Sequence, residues 1–413
     1  MNTNAICIGI ETQSCDWSAI DSLNELKELA ETAGLCVKKI DYQKRTSANQ
    51  KSYIGKGKLT EIHEQIINNK LSIAIFDDEL TPNQQRHLEN TLEIKILDRT
   101  SLVLDIFSQR AKTKEAQIQI ELAQLQYLQP RLRRMWTHLS RLGGGIGTRG
   151  PGETQLEVDR RQIGRRISKL KKDLEKVSRT RESQRKSRKE LPFITVAIMG
   201  YTNAGKSTIH HLLTESCVLQ ENKLFATLDP TSRKLKLTTG NEIIITDTVG
   251  FIRKLPHQLV NAFKSTLEEM IHADIILHII DCSNDHWEDL MTTSHQVLKQ
   301  LNASELNEII IFNKIDLTDD PVLTKHNCKH ISNHFISATN ENSKEVLLRI
   351  IENEVEKLQI TQTFTIPFNK MNVHSLIHKN SQIIETKHED DHIVIKCKIN
   401  RIIAAKLMTQ LHQ

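Results

Sequence analysis

Residues Gly200, Tyr201, Thr202, Asn203, Ala204, Gly205, Lys206 and Ser207 follow the spacing Gly-x4-Gly-Lys-Ser, which can close around a chain of phosphates. The glycines let backbone N–H groups face the β- and γ-phosphates, Lys206 adds a point charge, and the Ser207 hydroxyl suits Mg²⁺. Phe225, Ala226, Thr227, Leu228 and Asp229 come next, and Thr227 is the expected second hydroxyl on Mg²⁺, with Thr231 as its competitor. Asp247, Thr248, Val249 and Gly250 form the third element. There Asp247 can reach Mg²⁺ through water and the Gly250 N–H can sense the γ-phosphate. Lys206, Thr227 and Gly250 are therefore the groups expected to act on a transferred phosphoryl group.

The base is read by Asn313, Lys314, Ile315 and Asp316. A carboxylate at Asp316 can accept from N1–H and the 2-amino group of guanine. Adenine offers neither donor and would leave Asp316 buried and unpaired, a discrimination of roughly 10⁴ or more. Asn313 is expected to brace the loop and the purine N7, and the Lys314 stem to cover the ring. The backbone of Ser337, Ala338 and Thr339 is expected to meet the guanine O6. Alone, the Asn-Lys-Ile-Asp tetrapeptide could be a helix-capping turn; its order after a phosphate loop and Asp-Thr-Val-Gly favours guanine reading. Phe251 follows Gly250 where many GTPases carry a water-orienting glutamine, so hydrolysis by the isolated chain should be slow.

These groups need strands and helix starts to hold them. The apolar run from Phe193 to Met199 reads as a buried strand, and Lys206 to Thr214 as the helix whose positive end faces the phosphates. Glu242–Thr246 and Ile309–Phe312 read as strands that deliver Asp247 and Asn313 to the carboxyl edge of an open parallel sheet. The predicted fold is α/β: a P-loop domain with a mostly parallel sheet flanked by helices at 191–355. An N-terminal α/β domain occupies 1–110, a helical hairpin with a glycine-rich loop and basic linker 111–190, and a small C-terminal α+β domain 356–413.

In the N-terminal part, strands are expected at 5–10, 36–42, 71–76 and 94–97, alternating with helices near 22–33, 59–69, 82–91 and 101–110. The Gly55-Lys56-Gly57-Lys58 turn could meet phosphate at a helix start, but it lacks the full spacing of a phosphate loop and reads first as a plain loop. Apolar stripes Ile118, Leu122, Leu125 and Leu156, Ile163, Ile167, Leu170, Leu174, Val177 predict two packed helices, with Ser178 to Lys189 as a charged linker.

The 413 residues carry a net charge of +5, but residues 131–190 hold 19 Lys or Arg against 7 Asp or Glu, leaving the remainder at −7. Six of the fifteen glycines fall between Gly143 and Gly152, beside Arg149 and above Arg131, Arg133, Arg134 and Trp136. Such a segment can approach RNA closely, although a loop with solvated charges is the plain alternative. Seven cysteines without a Cys-x-x-Cys pair, no apolar run of membrane length and no basic-then-apolar leader point to reduced thiols in a cytoplasm. His326, Cys328 and His330 lack a nearby fourth ligand and read as non-metal.

Arg134 to Arg141, Gly145 to Glu157, Gly200 to Thr208, Phe225 to Thr231, Asp247 to Arg253 with Leu255-Pro256-His257, and Tyr53 to Lys58 together resemble the HflX family of GTPases over roughly residues 1–355. The resemblance implies a cytoplasmic GTPase that binds the large ribosomal subunit and its ribosomal RNA, separates stalled or idle ribosomes, and is stimulated by that subunit. Mg²⁺ as cofactor, GTP as substrate, a monomer and no DNA partner are the accompanying expectations; peripheral membrane association is left open. Ile209-His210-His211 departs from the family's usual Leu-Phe-Asn, and Arg141-Leu142-Gly143 is a variant lead-in to the glycine-rich loop. A GTP-regulated switch for a protein partner and an ATP-dependent RNA remodeller working through the N-terminal domain are the rival readings.

Overall fold

The computed structural model describes residues 3–12, 17–135, 155–189, 193–214, 224–225, 227–238, 242–254, 270–300, 307–318, 333–340 and 342–412. The glycine-rich loop, Ala226 and the 326–330 group lie outside them. The chain forms two compact units, divided near residue 175, with Phe225 and Lys254 grouped with the first.

The first unit alternates β1 (Thr3–Glu11), α1 (Ala19–Thr32), β2 (Leu35–Lys44), α2 (Lys56–Asn68), β3 (Ile73–Phe76), α3 (Pro82–Leu92), β4 (Lys95–Asp98) and α4 (Arg99–Arg110). Its strands pair in parallel in the order β2-β1-β3-β4. Parallel sheets are covered on both faces, which is why Ile73 to Phe76 is apolar throughout and fully buried. Side chains set the helix starts. Thr81 and Gln84 form a capping box with Pro82 at the first helical position, and Asp98 and Ser101 form another before α4. At the Gly55 turn, the Gly55 N–H donates to Gln43 Oε1 at 2.8 Å and Lys58 pairs with Asp41 at 2.7 Å, so both donors are engaged within the protein.

Helix α5 (Lys114–Met135) follows, and then α6 (Gln155–Lys189), which runs for 35 residues. The stretch expected as a linker, Ser178 to Lys189, is the last part of α6. It contains no Gly or Pro and is dominated by Arg, Lys, Glu and Gln, which lose little rotamer freedom in a helix. Arg166 of α6 grips Glu121 of α5 with two hydrogen bonds, 2.6 and 2.8 Å. Arg131, expected among the RNA-facing cations, is instead buried. It donates to Leu80 O at 2.7 Å, Tyr127 O at 2.9 Å and Gln85 Oε1 at 3.0 Å, and its guanidinium lies 3.4 Å from the Tyr127 ring centroid.

The second unit contains β5 (Ile194–Gly200), α7 (Lys206–Thr214), β6 (Thr231–Lys236), β7 (Glu242–Asp247), β8 (Ile275–Asp281), α8 (Trp287–Gln300), β9 (Asn307–Asn313), β10 (Asn333–Phe335) and α9 (Ser343–Lys357). Among the described residues its sheet has the order β10-β9-β8-β5-β7-β6, parallel except for edge strand β6. Gly200, Asp247 and Asn313 thereby end β5, β7 and β9 on one edge, with β8 between β5 and β9. The C-terminal segment adds β11 (Gln359–Pro367), α10 (Met371–Asn380), β12 (Ser381–His388), β13 (His392–Asn400) and α11 (Arg401–His412), with an antiparallel sheet in the order β11-β13-β12. Phe364, Ile395 and Leu407 share one hydrophobic cluster with Ile194, Ile243 and Ile351, so this segment and the larger sheet have a continuous core. Among the described residues no helix is long and apolar enough to cross a membrane.

Candidate nucleotide site

The phosphate loop is the turn between β5 and α7. Gly200 and Gly205 adopt φ of +145° and +93°, and a Cβ would strike Ile279 O at the first and Asn313 Nδ2 at the second. Only glycine combines these conformations with such close approach. The Thr202 N–H donates to Phe251 O at 2.8 Å and the Phe251 N–H to Gly200 O at 3.1 Å, tying the loop to the segment after β7. Phe251 is itself 4% exposed, so its side chain packs inside and offers nothing polar to a water molecule.

Lys206 opens α7, fully buried, and donates to Tyr201 O at 2.6 Å. Burial disfavours its ammonium and brings its pKa down to about 8, opposed by the charge of Asp247. One helical residue on, Ser207 Oγ lies 2.9 Å from Thr227 Oγ1 and donates to Asp247 Oδ2 at 3.0 Å, while Thr227 Oγ1 donates to the same oxygen at 2.8 Å. Thr231 stands at the start of β6, opposite Asp247 in the strand register. Asp247 Oδ1 and Thr202 Oγ1 are buried and have no hydrogen-bond partner among the described residues. Converging hard oxygens beside a buried unspent carboxylate oxygen fit a Mg²⁺ ion.

Thr248, next along, is fully buried and fixes this turn by donating to Ile198 O at 2.6 Å. Val249 is buried, and a Cβ on Gly250 would crowd Lys206 Nζ and Thr202. Leu228 is buried and Asp229 half-buried; Phe225, buried at φ +57°, is grouped with the first unit. The departure at His210 falls inside α7, where the ring is buried and burial keeps it neutral against the pull of Asp247.

At the other end of the site, Asn313 joins three loops. Its Nδ2 donates to Ala204 O of the phosphate loop at 2.9 Å, and its Oδ1 accepts from the Ala338 N–H at 2.9 Å. Lys314 adopts φ +66°, which turns the chain sharply after β9, and its ammonium pairs with Asp281 at 2.7 Å. Asp281 was not singled out from sequence, although it ends an apolar strand just as Asp247 does. Ile315 and Asp316 are exposed in a single 3-10 turn, and Ser337 Oγ lies 2.8 Å from Thr339 Oγ1.

A parallel sheet whose strand ends present a phosphate loop, a buried lysine and a base-side asparagine loop defines a GTPase of the P-loop class. Residues 195–314 match the 50S ribosome-binding GTPase family, residues 20–108 the GTP-binding GTPase N-terminal family, and residues 110–188 the GTP-binding GTPase middle region. The chain is 47% identical to GTPase HflX of Caldanaerobacter subterraneus subsp. tengcongensis, covering 94% of this chain and 89% of that protein. It is 44% identical to GTPase HflX of Escherichia coli K12, covering 73% and 71%. A solved structure of SsGBP with GDP aligns over 87% of this chain and 99% of that one, with 26% identity and a TM-score of 0.51. The chain belongs to the HflX family of GTPases.

Proposed function

We propose that this GTPase binds the large ribosomal subunit and that its GTP-bound form separates the subunits of stalled or idle ribosomes. The observation that supports this most directly is the match of residues 195–314 to the 50S ribosome-binding GTPase family. It sits beside a segment, 131–190, with 19 basic against 7 acidic residues, a charge balance suited to RNA phosphates. Arg131 is excluded from that contact surface by its burial, which leaves the glycine-rich loop and the exposed arginines and lysines of α6 to meet RNA.

In this reading Ser207, Thr227 and, through water, Asp247 hold Mg²⁺, which when bound neutralises charge on the phosphate oxygens. Lys206 gives up its bond to Tyr201 O and turns its ammonium to the phosphates. The Gly250 N–H reports whether a γ-phosphate is there, and Asn313 holds the phosphate loop in register with Asp316, which reads guanine. The packed Phe251 ring leaves the attacking water without an orienting side chain, which suits an enzyme that turns over fully only on its target. Sedimentation of ribosomes with the protein and a non-hydrolysable GTP analogue tests the proposal. Free subunits should accumulate, and hydrolysis of GTP should rise when large subunits alone are added. Unchanged ribosome profiles together with unstimulated hydrolysis would favour the regulatory-switch reading.

A further inference from the structure

Three side chains that the nucleotide site does not use meet elsewhere in the second unit. His278 sits in the middle of β8, and its side chain is 1% exposed in a strand whose other residues from Ile275 to Ile280 are Ile and Leu. Glu308 of β9 stands in register with Ile276, two residues before His278, so both side chains leave the same face of the sheet. His295 reaches them from α8. His278 Nδ1 lies 2.7 Å from Glu308 Oε1, and His295 Nε2 lies 2.9 Å from Oε1 and 3.1 Å from Oε2. All three ligand atoms fall within 4.8 Å of one another.

A wholly buried imidazole inside an apolar strand calls for a reason. One hydrogen bond to a carboxylate would satisfy it, but that does not account for a second imidazole, from a different element, converging on the same carboxylate oxygen. Two imidazole nitrogens and a carboxylate are a donor set that suits borderline transition ions, whereas Mg²⁺ and Ca²⁺ prefer all-oxygen sites. We propose that His278, His295 and Glu308 form a binding site for a divalent transition ion of the Zn²⁺ class, with water as the fourth ligand.

The rearrangement required is small. Tetrahedral bonds of about 2.0–2.1 Å would hold the ligand atoms about 3.3 Å apart. The two histidine–glutamate distances must open by a few tenths of an ångström, and the two imidazole nitrogens must settle at that same spacing. The His295 and Glu308 side chains are 36% and 20% exposed, so the cluster has an outward side by which an ion can enter and water can complete the shell. Two of its ligands hold no proton, while the bond to Glu308 raises the pKa of His295, whose proton an incoming ion displaces. Burial opposes the Glu308 charge, but the bonds from His278 and His295 outweigh it and bring its pKa down to about 2, while burial keeps His278 neutral. A bound ion would clamp β8, β9 and α8 together upstream of Asp281 and Asn313, the residues that carry the base-side loop.

The test uses full-length, chelator-treated protein without nucleotide, so its outcome is independent of the reading of the GTP site. Co²⁺ is titrated while its visible spectrum is followed, and Zn²⁺ affinity is then measured by competition with a chromophoric chelator. One equivalent of Co²⁺ should give a tetrahedral spectrum without a thiolate band, since the three side-chain ligands are two imidazoles and a carboxylate. His295→Ala and Glu308→Gln should each weaken Zn²⁺ binding by more than about 100-fold, beyond the 10–100-fold typical of losing an outer-shell partner. His295 is half-buried on a helix face, so its alanine variant should keep the parent circular dichroism even if Glu308→Gln does not fold. No one-equivalent spectrum in the parent protein, or Zn²⁺ affinity unchanged in folded His295→Ala, overturns the site and leaves a hydrogen-bonded histidine pair.

Discussion

Each unit carries a parallel sheet with aspartates at its strand ends, and the two sets of carboxylates have opposite surroundings. In the first unit, Asp77 follows β3 and receives Arg99 Nη2 at 2.5 Å and Ser22 Oγ at 2.7 Å. Asp98, at the end of β4, accepts from Tyr127 Oη at 2.8 Å, from the Ser101 and Leu80 N–H groups at 2.8 and 3.0 Å, and from Arg131 at 3.3 Å. In the second unit, Asp247 ends β7 with one oxygen bonded to two hydroxyls and the other buried without a partner among the described residues. Carboxyl strand ends are where open parallel sheets collect ligands. In this chain the same sheet position holds internal structure in one unit and leaves polar atoms waiting in the other. What separates the two sets is the unspent carboxylate oxygen of Asp247 rather than the fold position.

The largest contrast should come from removing one cation on each side. Arg99→Met takes away the main partner of a buried carboxylate and should cost about 3–5 kcal/mol of stability, read as a lowered thermal midpoint. Guanine-nucleotide affinity of the folded protein should not move. Lys206→Ala should do the reverse: turnover falls by at least about 10²–10³, with no loss of thermal stability, because a desolvated cation has been removed. If Arg99→Met instead weakens GTP binding while stability holds, the first unit has a ligand role and the contrast fails.

The base side sharpens it further. Asp316→Asn should lower GTP affinity by a factor on the order of 10²–10⁴, from two charge-assisted bonds, and shift preference to xanthosine triphosphate, whose 2-carbonyl an amide can meet. Titration with both nucleotides decides; undiminished GTP affinity removes Asp316 from base reading. Asn313→Ala loses its bonds to Ala204 and Ala338, and each is worth about 1 kcal/mol, more where a buried partner is stranded. GDP affinity should drop about 10–100-fold, and equally for xanthine nucleotides, because Asn313 joins loops while Asp316 discriminates.

Acidity provides a graded test of the open side. Lys206 has a lowered pKa, about 8, before nucleotide binds, and phosphates favour its charged form. Below pH 8 the ammonium is already present. Above pH 8 binding must take up a proton, so affinity should fall by up to about tenfold per pH unit. Calorimetry in buffers of different ionisation enthalpy should show proton uptake appearing above pH 8, and a pH-independent affinity would mean Lys206 stays charged throughout.

The nucleotide motifs were legible because each is contiguous and bounded by apolar runs, and the strands of the first unit because Ala5 to Ile10 and Ile73 to Phe76 are apolar runs. What sequence could not reveal depends on distant partners. Arg131 reads as one more loop arginine until Asp98, Leu80 and Gln85 are folded around it. Edge strand β6 buries little beyond Leu235 and carries the run Thr-Ser-Arg-Lys-Leu-Lys, so no apolar stretch announces it. His278, His295 and Glu308 come from two strands and a helix, with no local spacing to connect them. The C-terminal segment reads as a separate small domain because its periodicities are self-contained; only the shared cluster around Phe364 and Ile351 shows its core to be continuous with the larger sheet.

The smallest effect should come from restoring the residue type that Phe251 displaces. In an exposed loop, Phe251→Gln would place an amide near the attacking water and raise basal hydrolysis. Here the side chain is buried and the Phe251 backbone is paired on both sides with the phosphate loop, so the glutamine would be held inside, facing apolar neighbours. Basal turnover should change by less than about threefold, while stability falls by about 1–3 kcal/mol for an amide buried without a partner. A rise in basal hydrolysis of tenfold or more would show that this segment can turn its side chain outward. The buried ring would then be a resting arrangement rather than the reason that turnover waits for a partner.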